Sequence, residues 1–173
     1  MMMQMLEAGG LPASTDAARG ADEDNRRGYY ELEAVKRTKQ DASWVRGAVG
    51  KAVKVIYLLL KDLPADYEYR LVFMRRNLDE VVHSQQAMLA RRGEKGAEIS
   101  VSQMAATFQR ELDRCDQWLA RQPRFQVLDV EYRAVIDDPR GQARRICGFL
   151  GQSLAIDAMA AAVDPVLYRQ RSG

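Results

Sequence analysis

Residues Tyr69–Met74 (Tyr-Arg-Leu-Val-Phe-Met) form a bulky run that does not alternate cleanly between apolar and polar positions. Only Arg75 and Arg76 separate it from Asn77, a good helix N-cap, with Glu80 three residues further on to return a bond to the cap's backbone N–H, as in a capping box. A strand that runs straight into a capped helix, without the two-residue period of a half-solvated strand, is expected to sit in a parallel sheet covered on both faces. Leu78, Val81, Val82, Gln85 and Leu89 mark the inner side of the helix that follows.

The rest of the chain repeats this alternation. Met1–Ala8 reads as the end of a helix, stopped by Gly9-Gly10 and Pro12. Ala13–Gly28 is polar and reads as a loop. The spacing of Val35, Thr38, Ala42, Val45 and Val49 predicts a helix over Glu31–Val49, and Val53, Val55, Ile56 and Tyr57 predict a strand within Lys51–Leu60. A charged loop, Gly93–Ser100, leads to a long amphipathic helix over Ser102–Gln122 (Met104, Phe108, Leu112, Cys115, Leu119), which Pro123 ends. Phe125–Val130 is a further strand, and Asp138-Pro139 opens a helix that Gly151 stops. A short helix near Ile156–Val163 leads to a basic tail. Strands alternating with helices indicate an α/β domain with a mainly parallel sheet. The 173 residues suit a single domain, 1–173.

Charge narrows the partners. Twenty-six Lys and Arg against twenty-four Asp and Glu leave a net charge of +2, too little for a protein that coats nucleic acid, so any anion site is local. The longest apolar run, Val55–Leu60, falls far below the ~20 residues of a membrane span. No basic flank precedes the first methionines, so no secretory signal is expected. The two cysteines, Cys115 and Cys147, suit a reduced, cytoplasmic protein. No nucleic acid, membrane or metal is expected as a partner, and the oligomeric state is left open.

The turn after Met74 carries the strongest chemical signal. Free N–H groups and the positive end of the helix dipole converge where a strand feeds a helix, and arginine adds a planar fork suited to phosphate or sulfate. Ser84 lies seven residues after Asn77, on the same side of the helix. The plainer alternative is that Arg75 and Arg76 are solvated surface charges.

Phe73–Ser84 resembles the 3′-phosphate-binding segment of sulfotransferases that use 3′-phosphoadenosine 5′-phosphosulfate (PAPS), where a strand-end Arg and a Ser eight residues later hold the 3′-phosphate. Arg76 and Ser84 match that spacing. Leu6–Pro12, Asp22–Asn25 with Gly28–Glu31, Lys51–Ile56, Val130–Tyr132 with Asp138-Pro139, Phe149–Gly151, and Val163–Pro165 with Leu167–Arg169 resemble a bacterial branch of the family, in order along the chain. The resemblance implies a sheet like that of P-loop nucleotide kinases, flanked by helices, with PAPS across the carboxyl ends of its strands. Arg76 and Ser84 would bind the 3′-phosphate. Tyr132 would sit near the adenine, with a core tyrosine as its alternative. Arg169 and Arg171 would close over the nucleotide, with a solvated tail as theirs.

Two family features depart here. The glycine- and serine-bearing loop that grips the 5′-phosphosulfate is not found, and the resemblance places Met1 inside the helix that follows that loop, so the expected domain is truncated at its N-terminus. No histidine follows Lys54 as in many relatives, and the only one, His83, reads as a helix-surface residue. A carboxylate is then the expected base. Glu31 is the candidate, an N-terminal helix carboxylate being its plainer reading, and Lys54 is the candidate to steady a departing sulfate oxygen, a strand-edge surface lysine being its plainer reading. The implied activity is sulfuryl transfer from PAPS, without a metal, to a hydroxyl or amine of a small molecule or glycan, with residues 1–173 expected to be inactive. A non-catalytic remnant and a helical interaction module using Ser102–Gln122 stay open.

Overall fold

A computed structural model describes residues 1–16, 29–91, 93 and 100–164, and two parallel strands lie at its centre. β1 (Tyr69–Arg75) pairs with β2 (Phe125–Glu131) in a register that sets Tyr69 opposite Phe125 and Arg75 opposite Glu131. Parallel neighbours need a long crossover, supplied here by α3 (Leu78–Arg91) and α4 (Val101–Leu119). The result is the α/β arrangement expected from the alternation, a parallel sheet flanked by helices, with two strands among the described residues.

Both faces of the strand pair are covered, which explains why β1 lacks a polar period. Val72, Met74, Leu128 and Val130 join a core built by α1 (Met2–Ala8), α5 (Tyr132–Asp137), α6 (Pro139–Leu150) and α7 (Ile156–Ala161). Met5, Val130, Val135, Ala143, Ile146 and Met159 are fully buried there. On the other face Leu71, Phe73 and Phe125 meet Leu60, Leu63, Leu119 and Val45 of α2 (Trp44–Ala48). Tyr69 stacks on Phe125 across the strands, ring centres 4.8 Å apart, and Trp118 meets Phe125 edge-on.

The helices start and stop where local chemistry directs them. Ser100 Oγ accepts from the Gln103 N–H while the Gln103 side chain accepts from the Ser100 N–H, so α4 begins at Val101. Asp138 Oδ1 accepts from the Gly141 N–H at 2.9 Å, Pro139 fills the first turn, and Gly151 takes the left-handed conformation (φ +62°) that ends α6. Among the described residues no helix is long and apolar enough to cross a membrane.

Two expectations for the segment before β1 need correction. Glu31–Val49 is not one helix. A 3₁₀ turn over Glu33–Arg37 is followed by the short α2, because Asp41 Oδ1 captures the Ser43 N–H at 2.9 Å and Thr38 Oγ1 turns back to the Val35 carbonyl at 2.6 Å. Such side-chain bonds compete with helical ones. Val35, Thr38 and Val45 are nonetheless buried, whereas Val49 is 64% exposed.

Nor is Lys51–Leu60 a strand. Only Ala52 bridges, to Ala13, with its N–H on the Pro12 carbonyl and its carbonyl receiving the Ser14 N–H. The next donor that could extend the ladder, the Asp16 N–H, goes to the Glu31 carbonyl instead. The chain then winds into a 3₁₀ helix over Tyr57–Asp62, leaving Ile56 and Leu58 exposed.

Candidate functional site

The register of the strand pair builds the site. Arg75 and Glu131 are partners at the carboxyl ends of β1 and β2, so the next residues, Arg76 and Tyr132, emerge side by side. The Arg76 guanidinium lies over the Tyr132 ring, 5.0 Å from its centre. Asn77 caps α3, its Oδ1 receiving the Glu80 N–H at 3.2 Å. The Glu80 carboxylate pairs with Arg76, Nε to Oε2 at 3.2 Å, which is the partner missed when Glu80 is read as a capping residue. Its signal was in the sequence: four residues is the distance at which charges meet along a helix.

Burial makes this cluster unlike a surface ion pair. The Glu80 side chain is only 6% exposed and that of Arg76 25%. Burial pushes the Tyr132 phenol above the ordinary tyrosine range; Arg76 pulls it down and Glu80 pushes it up, so the ring senses both members of the pair. Ser84 lies one further turn along α3 from Glu80, half-buried, and His83 beside it is exposed, as a helix-surface residue should be. Arg76, Glu80 and Ser84 thus follow one another at four-residue steps beneath the strand ends.

Arg75, the neighbour of Arg76, is part of the framework. Its Nε bonds Asp129 on β2 and its Nη2 bonds Asp116 on α4, both at 2.6 Å, and its guanidinium lies 3.9 Å from the centre of the Phe73 ring. Burial works to lower this guanidinium, but the hydrogen bonds to Asp116 and Asp129 outweigh it and raise it above its ordinary value. Arg75 also lines an open groove of about 730 Å³ with Asp116, Phe125, Val127 and Asp129. Two carboxylates already bond Arg75 there, which makes that groove a poor anion site. Arg75→Ala is expected to lower stability by about 1–2 kcal/mol in urea denaturation, since the remaining carboxylates are half-exposed.

The chain also brings Glu31 and Lys54 together. Lys54 Nζ lies 3.7 Å from Glu31 Oε1 and donates to the Tyr29 carbonyl at 3.1 Å, while Lys36 Nζ stands 3.6 Å from the other Glu31 oxygen. Next to them Tyr30, at φ +51°, donates its hydroxyl to Glu7 of α1 at 2.5 Å. Glu31 therefore faces two ammonium groups, of which sequence had suggested one. Arg169 and Arg171 lie outside the described residues, as do Asp22–Asn25 and Gly28. Among the described residues no group of three or more His, Cys, Asp and Glu is placed to hold a metal ion.

Comparison with known families gives one result: a model described as the sulfotransferase family matches residues 8–155. That span takes in α1's last residue, both strands, the Arg76, Glu80 and Tyr132 cluster, and Ser84. No curated protein and no solved structure matches the chain.

Proposed function

Because the chain belongs to the sulfotransferase family, we propose that the mouth between β1 and α3 receives the 3′-phosphate of PAPS. Arg76 offers its fork to the phosphate oxygens, the capped N-terminus of α3 adds its dipole, and Ser84 donates its hydroxyl from two turns down. Tyr132 is the proposed stacking partner of the adenine, and Arg169 and Arg171, outside the described residues, are the proposed further cations for the nucleotide. The observation that most supports this reading is the meeting of Arg76 with Tyr132 at the carboxyl ends of the paired strands, the edge of a parallel sheet where ligands of α/β domains bind.

For the transfer itself, Glu31 is the proposed base for the proton of an acceptor hydroxyl or amine, on a small molecule or glycan, and Lys54 the cation for the departing oxygen. As the acceptor oxygen or nitrogen bonds to sulfur, the bond from sulfur to the bridging phosphate oxygen breaks and the nucleotide leaves with that electron pair. Residues 1–173 carry no glycine- and serine-bearing loop suited to the 5′-phosphosulfate. They are therefore expected to bind the nucleotide without transferring its sulfuryl group.

Calorimetry tests the binding half directly. Adenosine 3′,5′-bisphosphate is expected to bind at least about tenfold more tightly than adenosine 5′-monophosphate, the worth of one charge-assisted contact set. Ser84→Ala should narrow that gap. Equal affinity for the two nucleotides would overturn the reading.

A further inference from the structure

The carboxylate of Glu80 stands where an anion site can least use one. Asp79, its neighbour in the first turn of α3, is exposed and already offers negative charge to the helix dipole, yet Glu80 is 5% exposed and faces the Arg76 guanidinium. A buried carboxylate is costly unless it is paired, and its partner is the arginine assigned to the ligand. The pair is neutral as a unit. An incoming phosphate, carrying a charge of about −1.5 to −2 near neutral pH, thus meets a site discharged by one unit and a fixed negative charge just behind the cation that binds it.

We propose that Glu80 is a positioning residue with two opposed effects: its oxygen holds the Arg76 guanidinium at the strand-to-helix mouth, and its charge loosens the grip on the nucleotide's 3′-phosphate. The inference rests on the assignment of Arg76 to that phosphate and adds how the hold is limited. The geometry separates the two effects. A hydrogen bond runs from Nε to Oε2 at 3.2 Å, and an acceptor at that point helps to keep the guanidinium plane in place over Tyr132. The repulsion requires the full negative charge. A transferase gains from this, because it must release its spent nucleotide every cycle and product release often limits turnover.

Glutamine keeps an acceptor oxygen at the same reach and removes the charge; alanine removes both. Glu80→Gln is therefore expected to bind adenosine 3′,5′-bisphosphate about three- to tenfold more tightly than the unaltered protein, with the gain in a slower dissociation rate measured by stopped flow. Glu80→Ala is expected to bind it about three- to tenfold more weakly, as Arg76 loses its orientation. Adenosine 5′-monophosphate, which lacks the 3′-phosphate, should bind all three proteins alike.

A merely structural role predicts the same direction for both variants. If Glu80→Gln weakens binding as Glu80→Ala does, the inference fails while the assignment of Arg76 stands. A Gln variant that does not fold, judged by circular dichroism, also overturns it, since the hydrogen bond should suffice for structure. If the unaltered protein shows no preference for the 3′-phosphate, the assignment of Arg76 falls and this inference with it.

Discussion

Arg76→Ala is expected to weaken adenosine 3′,5′-bisphosphate binding by about 10- to 100-fold and to lower folding stability by about 2–4 kcal/mol. The first effect is the loss of the charged fork. The second follows from Glu80, whose carboxylate is almost wholly buried and loses the guanidinium that faces it. Removing one member of a fully buried pair costs about 3–5 kcal/mol; a quarter of the Arg76 side chain reaches solvent, which moves the expectation lower.

A double variant separates the two effects. Arg76→Ala with Glu80→Gln should recover most of the stability in urea denaturation, because no charge is left buried, and recover none of the affinity in calorimetry. Binding that survives Arg76→Ala would count against the phosphate assignment. Stability that survives it would count against Arg76 as the group that holds the Glu80 charge.

Ile146→Ala is expected to cost about 2–4 kcal/mol in the same denaturation measurement. Ile146 is fully buried in α6, within the cluster that includes Val130 of β2, Val135 of α5 and Met159 of α7. The change removes buried apolar surface and leaves a cavity. Met5 and Met159 line the same cluster, and their unbranched side chains can swing part of the way into the space, which keeps the cost below the largest values seen for such truncations. Val49→Ala, at a residue 64% exposed, should change stability by no more than about 0.5 kcal/mol. A cost near zero at Ile146 would show that this cluster is not the core that holds the sheet.

The parts of the fold legible in the sequence are those whose signals are local. Asn77 and Asp138 cap helices as their residue types require, Gly151 stops one, and the apolar run of β1 belongs to a strand covered on both sides. Residues 31–62 were misread because periodicity there competes with side-chain bonds. Val35, Thr38 and Val45 have helical spacing and are buried, but Asp41 and Thr38 capture backbone groups that a continuous helix would need. The apolar stretch after Ala52 has bulky strand-forming residues, but among the described residues the one bridge beside it is Ala52's own to Ala13, which sequence does not reveal.

The candidate site divides in the same way. Arg76 and Ser84 could be named from their spacing, and Glu31 and Lys54 from their residue types. That Glu31 and Lys54 face each other depends on how the irregular segment between them turns. What Arg75 does is tertiary too: Asp116 and Asp129, each more than 40 residues away in sequence, bind it. For Glu80 the local rule points to the cap, and the pairing with Arg76 comes in addition, from a spacing of four residues and from burial.

The strand register has one more consequence. Side chains on β2 alternate between the two cores, so a displacement of β2 by one residue would send Phe125 toward the methionine-lined core and Leu128 toward the aromatic one. The same slip would carry Tyr132 past Arg76 and part the cluster on which the nucleotide is proposed to rest. Correct alignment of the sheet and a competent binding mouth are therefore one event, and ligand added during refolding should favour the properly threaded chains over the misaligned ones.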